Sequence, residues 1–541
     1  MPFRQSVPLT LWLACAIAAP LPAQHPFRGA LKWSVLLCDY TDSPTSPRTL
    51  ADVRDMFTSV PADGVASYWF TASRGSVVSN RVEVRGFFRV AQSIATATAR
   101  ARWDRFNDCR TAASAAGYTV PSGNGIVVMT NPGIDLWGAT GAAFAGIDGD
   151  VGAFGHEVGH GLGLNHSFND DPGYRNAPWS QIGEYGDPWD VMSYANVFSR
   201  STTRFGASPV GHNGPHLDRM GWLPRNEIVT FGSDGAASRT FTLTALHRAA
   251  AGGTRLIRIP FDPADLFHYY TVELRVPRDQ DTGIPAAIVM LHEVRKATPG
   301  DPTNPAYFSF LLTDPSPSAG RAPLSTLSAN GVQVTVNSLN ATAGTATVTV
   351  SSGMADRCIQ GFVWREARPS DHVCVTGAAR TEAAQENGQA AARRNPAGGP
   401  FGPDTCLQGY VWREAFGGDH VCVPGTARTR AAQENAAAAA RINPARLVFG
   451  PNACKAGFVW READGMDYVC VDGATRTETA QENALAVSRR SPTGGPFGPD
   501  TCRPGFVWRE AFPPDHVCVP GTSRTRAAND NSAAAGRVEK P

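Results

Sequence analysis

No excess of either charge marks this chain: 49 Lys and Arg stand against 48 Asp and Glu, a formal charge of +1. A nucleic-acid surface and a polybasic membrane anchor both need a concentrated positive field, so neither partner is expected. Charged residues of any sign are sparse at 18%, whereas glycine and proline number 54 and 41. That balance favours short strands and many turns over long helices. Apolar runs are short as well. The run at the start, residues 9–19, follows Arg4 and precedes Leu21-Pro22-Ala23, and reads as a secretory signal over residues 1–23. A transmembrane anchor needs about 18 apolar residues, and no later segment supplies them. The mature chain is therefore expected to be secreted, extracellular and without a membrane span.

Cysteine is scarce too, eleven in all. Cys15 leaves with the signal, Cys38 and Cys109 fall early, and the other eight form a strict pattern described below. The mature chain keeps an even number, as a disulfide framework in an oxidising compartment would. Spacing alone leaves open whether Cys38 pairs with Cys109.

Histidine is the most telling scarcity. Of twelve, three lie within eleven residues, in His156-Glu157-Val158-Gly159-His160-Gly161-Leu162-Gly163-Leu164-Asn165-His166. His156 and His160 are one helical turn apart and point the same way. Two imidazoles so held are half of a tetrahedral zinc site. Gly163 can take a positive φ, end the helix and let the chain bring His166 back as a third ligand. Three protein ligands leave the fourth position for water, the catalytic arrangement. Glu157, about 100° further round the helix, can reach that water without ligating Zn2+. It is the candidate general base and acid. Two histidines four apart also occur in helices that bind nothing; the glycine and third histidine argue against that here.

Downstream comes Tyr185-Gly186-Asp187-Pro188-Trp189-Asp190-Val191-Met192-Ser193-Tyr194, turn-rich and ending in Met-Ser-Tyr. Together the two segments resemble the metzincin zinc peptidases, whose motif is followed by a tight turn carrying a methionine. Residues 67–75, Tyr185-Gly186-Asp187 and residues 217–223 further resemble the gametolysin-like secreted metallopeptidases, with the immune-inhibitor-A-like group as runner-up. The likeness covers roughly residues 30–350. It implies an α/β metzincin-type catalytic domain acting on a polypeptide substrate. It also implies that Met192 forms a floor under the metal and that the phenol of Tyr194 steadies the oxyanion. Residues 137–146 would be an edge strand along which substrate lies extended. Many relatives carry an inhibitory pro-segment, which the short stretch after the cleavage site does not provide.

The chain divides into a catalytic domain over residues 24–224, an all-β sandwich-like domain over 225–352 and four tandem repeats over 353–541. In the first, strands are expected over residues 31–38, 76–90 and 125–129, and helices over 47–57, 65–73 and 96–116. Alternating Thr/Val-rich segments over 239–243, 255–259, 269–274, 287–291, 332–336 and 345–350 suggest the sandwich. His268 and His292 lie there and read as structural. Asp148 and Asp150 read as helix-capping residues rather than a calcium site.

The last third repeats every 48 residues: Cys358, Cys406, Cys454 and Cys502 each open a unit, Trp364, Trp412, Trp460 and Trp508 follow, and Cys374, Cys422, Cys470 and Cys518 close it. Each is read as a β-hairpin closed by its own disulfide and followed by a short helix, with the tryptophan as its core or, as the alternative, an exposed platform that stacks on sugar rings or aromatic ligands. Zinc sites prefer closer cysteine pairs. A unit this small has little core, and closing the loop constrains the unfolded chain by about 3 kcal/mol. The leading expectation is a secreted zinc endopeptidase. A second is a binding protein whose repeats attach to a cell-wall or glycan ligand, and the two are compatible. A third, a zinc scaffold without catalysis, is opposed by the intact Glu157.

Overall fold

A computed structural model describes residues 27–540, except 61–62, 232–237, 249–251, 263–264, 297–305, 313–324, 353–357, 360, 369–370, 372 and 442–449. For residues 194–196, 262 and 439 it describes the backbone alone. The expected signal segment lies outside the described residues.

The apolar run near the start forms β1 (Gly29–Asp39), which pairs in parallel with β2 (Val77–Arg89) and β3 (Gly125–Asn131) on its two sides. β5 (Ala142–Gly146) continues parallel to β3, and β4 (Trp137–Ala139) turns back antiparallel at the end of this five-stranded sheet. Alternation along β1 sends Val35 and Leu37 to one face and Leu36 and Cys38 to the other. The first pair packs with α1 (Leu50–Thr58), α2 (Val65–Ala72) and α5 (Val151–Gly161) through Val53, Trp69 and Phe154. The second packs with α3 (Ile94–Thr98) and α4 (Arg102–Ala115) through Ala97 and Phe106. A Cys38–Cys109 disulfide, Cα atoms 5.9 Å apart, fastens β1 to α4.

Two helix expectations need correction. The helix expected over 96–116 is two, because Ser93 caps a short first helix and the chain breaks at Ala101 before α4 begins. α1 starts at Leu50 rather than residue 47. Thr49 Oγ1 accepts the Asp52 N–H at 3.1 Å and Asp52 accepts the Thr49 N–H at 3.0 Å, a reciprocal cap that fixes the start of the helix there.

The β-rich region is two sheets sharing one core. The larger runs Ser167–Asn169, Tyr307–Leu311, Ile288–Lys296, Asp265–Arg275, Leu256–Asp262, Ile228–Thr230; the smaller runs Ser238–Thr244, Thr345–Ser352, Val332–Asn340, Ser325–Ala329. Ile257, Val272 and Leu291 of the first meet Leu243, Val334 and Val348 of the second. Strand Ser167–Asn169, here β6, directly follows His166 and pairs in parallel with Tyr307–Leu311. The larger sheet therefore reaches back to the histidine motif rather than ending at residue 225.

All four repeats are closed by their own disulfide, Cys358–Cys374, Cys406–Cys422, Cys454–Cys470 and Cys502–Cys518. Their cores differ from the expectation. The tryptophans are only half-buried; the fully buried residue is the next one, Arg365, Arg413, Arg461 or Arg509. Each of these arginines pairs bidentately with an aspartate of its own hairpin, as Arg365 does with Asp371 at 2.7 and 3.0 Å. The remaining donors reach the neighbouring repeat. Arg365 meets Glu434 on α8 (Gly425–Arg441), while Arg413 meets Glu386 and Asn387 on α7 (Gly377–Arg393), at 2.9–3.3 Å. Backbone bonds cross the same way: the Ile359 N–H reaches the Arg441 carbonyl, and the Leu407 N–H the Arg393 carbonyl. Repeats one and two thus exchange helices. Repeats three and four do the same, through α9 (Gly473–Arg489) and α10 (Gly521–Arg537), with Arg509 on Glu482 and Asn483 and the Lys455 N–H on the Arg537 carbonyl.

A buried arginine that loses half its partners is costly, typically about 3 kcal/mol or more. The pair is therefore the folding unit. A fragment of residues 358–441 is expected to melt cooperatively with helical circular dichroism, and one of residues 358–400 to show neither; a cooperative melt of the single repeat would refute the exchange.

Candidate metal centre

Asp150 opens α5 by accepting the Ala153 N–H at 2.8 Å, the capping role expected of it. The helix is buried almost throughout, so His156 and His160 project from a rigid element. After Leu162 the chain reverses through Gly163 at φ +89°, with the Leu164 N–H on the Gly159 carbonyl at 3.0 Å. That reversal delivers His166. Its Nε2 lies 2.9 Å from His160 Nε2, which lies 3.1 Å from His156 Nε2.

Every Nδ1 has an acceptor: Val191 O for His156 at 3.0 Å, Leu164 O for His160 at 2.9 Å and Glu184 Oε1 for His166 at 2.6 Å. A carbonyl or carboxylate can only accept, so each ring carries its proton on Nδ1. Three bare Nε2 lone pairs then face one another with no hydrogen between them, a repulsive arrangement that a cation at their meeting point resolves. The donor set fits a divalent ion that favours imidazole and leaves a position open. Burial, followed by the neighbouring histidines, holds His156 far below its ordinary range and His160 at about 4, so both stay neutral as ligands must.

Glu157 points from the same helix toward β4. A Cβ at Gly138 would stand 2.6 Å from Glu157 Oε2, so only glycine lets the carboxylate lie against the edge strand. Burial pushes Glu157 up to about 8, with the Arg102 charge opposing and that of Asp135 adding. A nearby dication would draw it back down.

Two residues of the site escaped the sequence reading. Glu184 holds the third imidazole; burial works against its ionisation, yet His166 and the Gln181 N–H keep it below the ordinary range. Its only signal is the general need of a ligating histidine for an acceptor. The second is Tyr185, whose ring lies 4.3 Å from that of His166 and 6.1 Å from that of His156. Its φ of +63° is unusual for a bulky residue. Burial, then the charges of Glu184 and Glu157, push its phenol up.

Met192 lies beneath α5, leaving no room for a Cβ at Gly159. The backbone of Tyr194 belongs to the short helical turn Val191–Asn196, but its side chain lies outside the described residues. His268 pairs with Glu293 and His292 with Asp187, both away from the triad.

A second cluster, Asp190, His212 and His216, also brings three potential ligand atoms within 4.8 Å of one another. Its carboxylate is already saturated, accepting from Met192 N, Asn213 N and His216 Nδ1 at 2.7–2.8 Å. All three residues are buried with no open side, and the His212 ring is wedged between Trp69 and Trp222. We read this cluster as the clamp that holds the Met192 turn. No protein-family model matches the chain, and no curated protein matches it. Elemental analysis after dialysis is expected to find one tightly held divalent ion per chain, retained in His212→Phe and lost in His166→Ala; two ions in the parent chain would overturn the division of roles.

Proposed function

We propose that the chain is a secreted zinc-dependent endopeptidase. The observation that carries this reading is three Nε2 atoms converging with no proton between them, at the helix whose Glu157 carboxylate lies against Gly138 of the last strand of the sheet. The metzincin-like pairing of the triad with a methionine turn supports it. Five disulfides suit an oxidising extracellular compartment. Among the described residues no helix is long and apolar enough to cross a membrane.

Bound zinc would supply Lewis acidity, lowering the pKa of a water and polarising the substrate carbonyl. The chain does the rest. β4 is the last strand of its sheet among the described residues, so an extended polypeptide can add to it through backbone bonds. Glu157, pressed against that strand at Gly138, takes the proton of the attacking water and hands it to the leaving amine. Glu184, Val191 and Leu164 hold the imidazoles in one tautomer throughout. Tyr185, kept protonated by burial, can donate to the carbonyl oxygen as negative charge builds there. Tyr194 keeps the similar role that the metzincin resemblance implies.

The repeats favour a second, compatible role in holding a cell-wall or glycan ligand. Phe401 and Phe497 are 70% and 68% exposed and stand edge-on to Trp412 and Trp508, at 5.7 and 5.4 Å. Exposed aromatic rings of this kind are surfaces on which sugars stack.

Hydrolysis of an unstructured protein such as casein tests the reading. Glu157→Gln is expected to keep its metal and lose about 10³-fold or more in kcat. Tyr185→Phe is expected to lose about 10²-fold in kcat with KM little changed. Undiminished turnover in Glu157→Gln would end the mechanism.

A further inference from the structure

We propose that Arg102, with Trp103 beside it, selects a carboxylate-bearing side chain in the substrate. This selectivity rests on the endopeptidase reading of the metal centre and specifies what that centre prefers to cut.

Place is the first argument. A strand added to the free edge of β4 sends its side chains alternately to the two faces of the sheet. On one face they meet Glu157 and the triad. On the other they meet the start of α4. There Trp137 packs on Trp103 at 4.5 Å and on Phe106 at 5.6 Å, with the Arg102 guanidinium 5.9 Å from its ring. Trp137 is the strand neighbour of Gly138, which abuts Glu157. Arg102 therefore stands one strand residue from the general base, across the edge that substrate would occupy. Its charge is felt at both Glu157 and the Tyr185 phenol.

Charge is the second. Asp135 receives Arg102 bidentately at 3.0 and 2.9 Å and also Arg105 at 3.0 Å. Two guanidiniums on one carboxylate leave one positive charge uncancelled. Arg105 is largely covered and donates further to the Arg100 and Thr98 carbonyls. Arg102 keeps 55% of its side chain in water, so the surplus charge surfaces there. Asp104, two positions along α4, does not share its face. Trp103, 51% exposed, gives the stem of an acidic side chain an apolar wall and partly dries the ion pair.

The experiment uses the full chain loaded with zinc. Cleavage of a proteome-derived peptide library is profiled first; paired fluorogenic peptides carrying Glu, Gln or Lys at the enriched position are then compared by kcat/KM. Glu is expected over Gln by about two- to five-fold, the worth of one partly exposed ion pair. Arg102→Gln should flatten the preference, and Arg102→Glu should turn it toward Lys. A glutamate suits the first turn of a helix, and Arg105 still holds Asp135, so both variants should fold. A library cleaved without acidic enrichment overturns the role of Arg102 and leaves the endopeptidase reading standing, as does a preference that survives in both variants. No cleavage at all by the zinc-loaded parent chain overturns that reading and the selectivity with it.

Discussion

The structure turns on three imidazole lone pairs that meet with no proton to share, His160 Nε2 lying 2.9 Å from His166 Nε2 and 3.1 Å from His156 Nε2. Such crowding persists only if each ring is held from behind, and the three holders come from different parts of the chain. Leu164 is the local return of α5. Val191 belongs to the Met192 turn, itself clamped by Asp190 to Asn213 and His216 at the start of α6 (Gly214–Arg219). Glu184 sits in the loop after β6, whose strand is paired into the larger sheet of the β-rich region. Asn213 ties these supports together, donating to Asp187 at 2.9 Å and Ser309 at 2.8 Å. The β-rich region is thus part of what holds the three imidazoles together.

How much of this could be read from the sequence depends on the distance over which each contact is encoded. Helical spacing places His156 and His160, a single glycine returns His166, and an alternating pattern marks the sandwich strands; each is a rule about near neighbours. Glu184 and Tyr185 obey no such rule, since no periodicity relates them to the triad. The same holds for the strands Tyr307–Leu311 and Ser325–Ala329, which are short and weakly alternating. The start of α1 is hard to place for a different reason. Two capping signals lie close together, Ser46 before Pro47 and Thr49 three residues before Asp52, and the reciprocal hydrogen bonds favour the second.

The repeats show the limit most clearly. A period of 48 residues with a cysteine pair in each unit suggests four equal modules, and tryptophan is the natural candidate for a small core. Burial instead goes to arginine, because each guanidinium finds an aspartate six residues on and further acceptors in the paired repeat: acidic or amide side chains for Arg365, Arg413 and Arg509, and the Ala511 and Ala527 carbonyls for Arg461. A fully paired charge can be buried where an unpaired one cannot. The tryptophans take an outer position, bracing the preceding segment through Nε1 bonds such as Trp412 to the Asp404 carbonyl at 2.7 Å. Helix exchange is invisible in a sequence where every copy is alike, since a helix fits its own hairpin and the neighbouring one equally well by pattern.

Small departures from that repetition carry the information that periodicity hides. In the first pair, Arg368 lies 4.1 Å over the ring of Phe416. In the second pair the corresponding residue is Asp464, and the place over Phe512 is taken by Arg28, just ahead of β1, at 3.9 Å, bonded to Asp464 at 2.8 and 2.9 Å. Tyr468 stands where repeats two and four carry His420 and His516, and its hydroxyl donates to the Leu223 carbonyl at 2.6 Å. Asn452 stands where they carry Asp404 and Asp500, and donates to the Asp218 carbonyl at 2.7 Å. Arg225 completes the contact on the carbonyls of Asp464 and Asp467. The first pair supplies its own cation at this place, whereas the second needs one from outside and finds it in Arg28, just ahead of β1. Three substitutions in the third copy thus convert a repeated module into a docked one, with the aromatic surfaces of Phe401 and Phe497 still facing solvent.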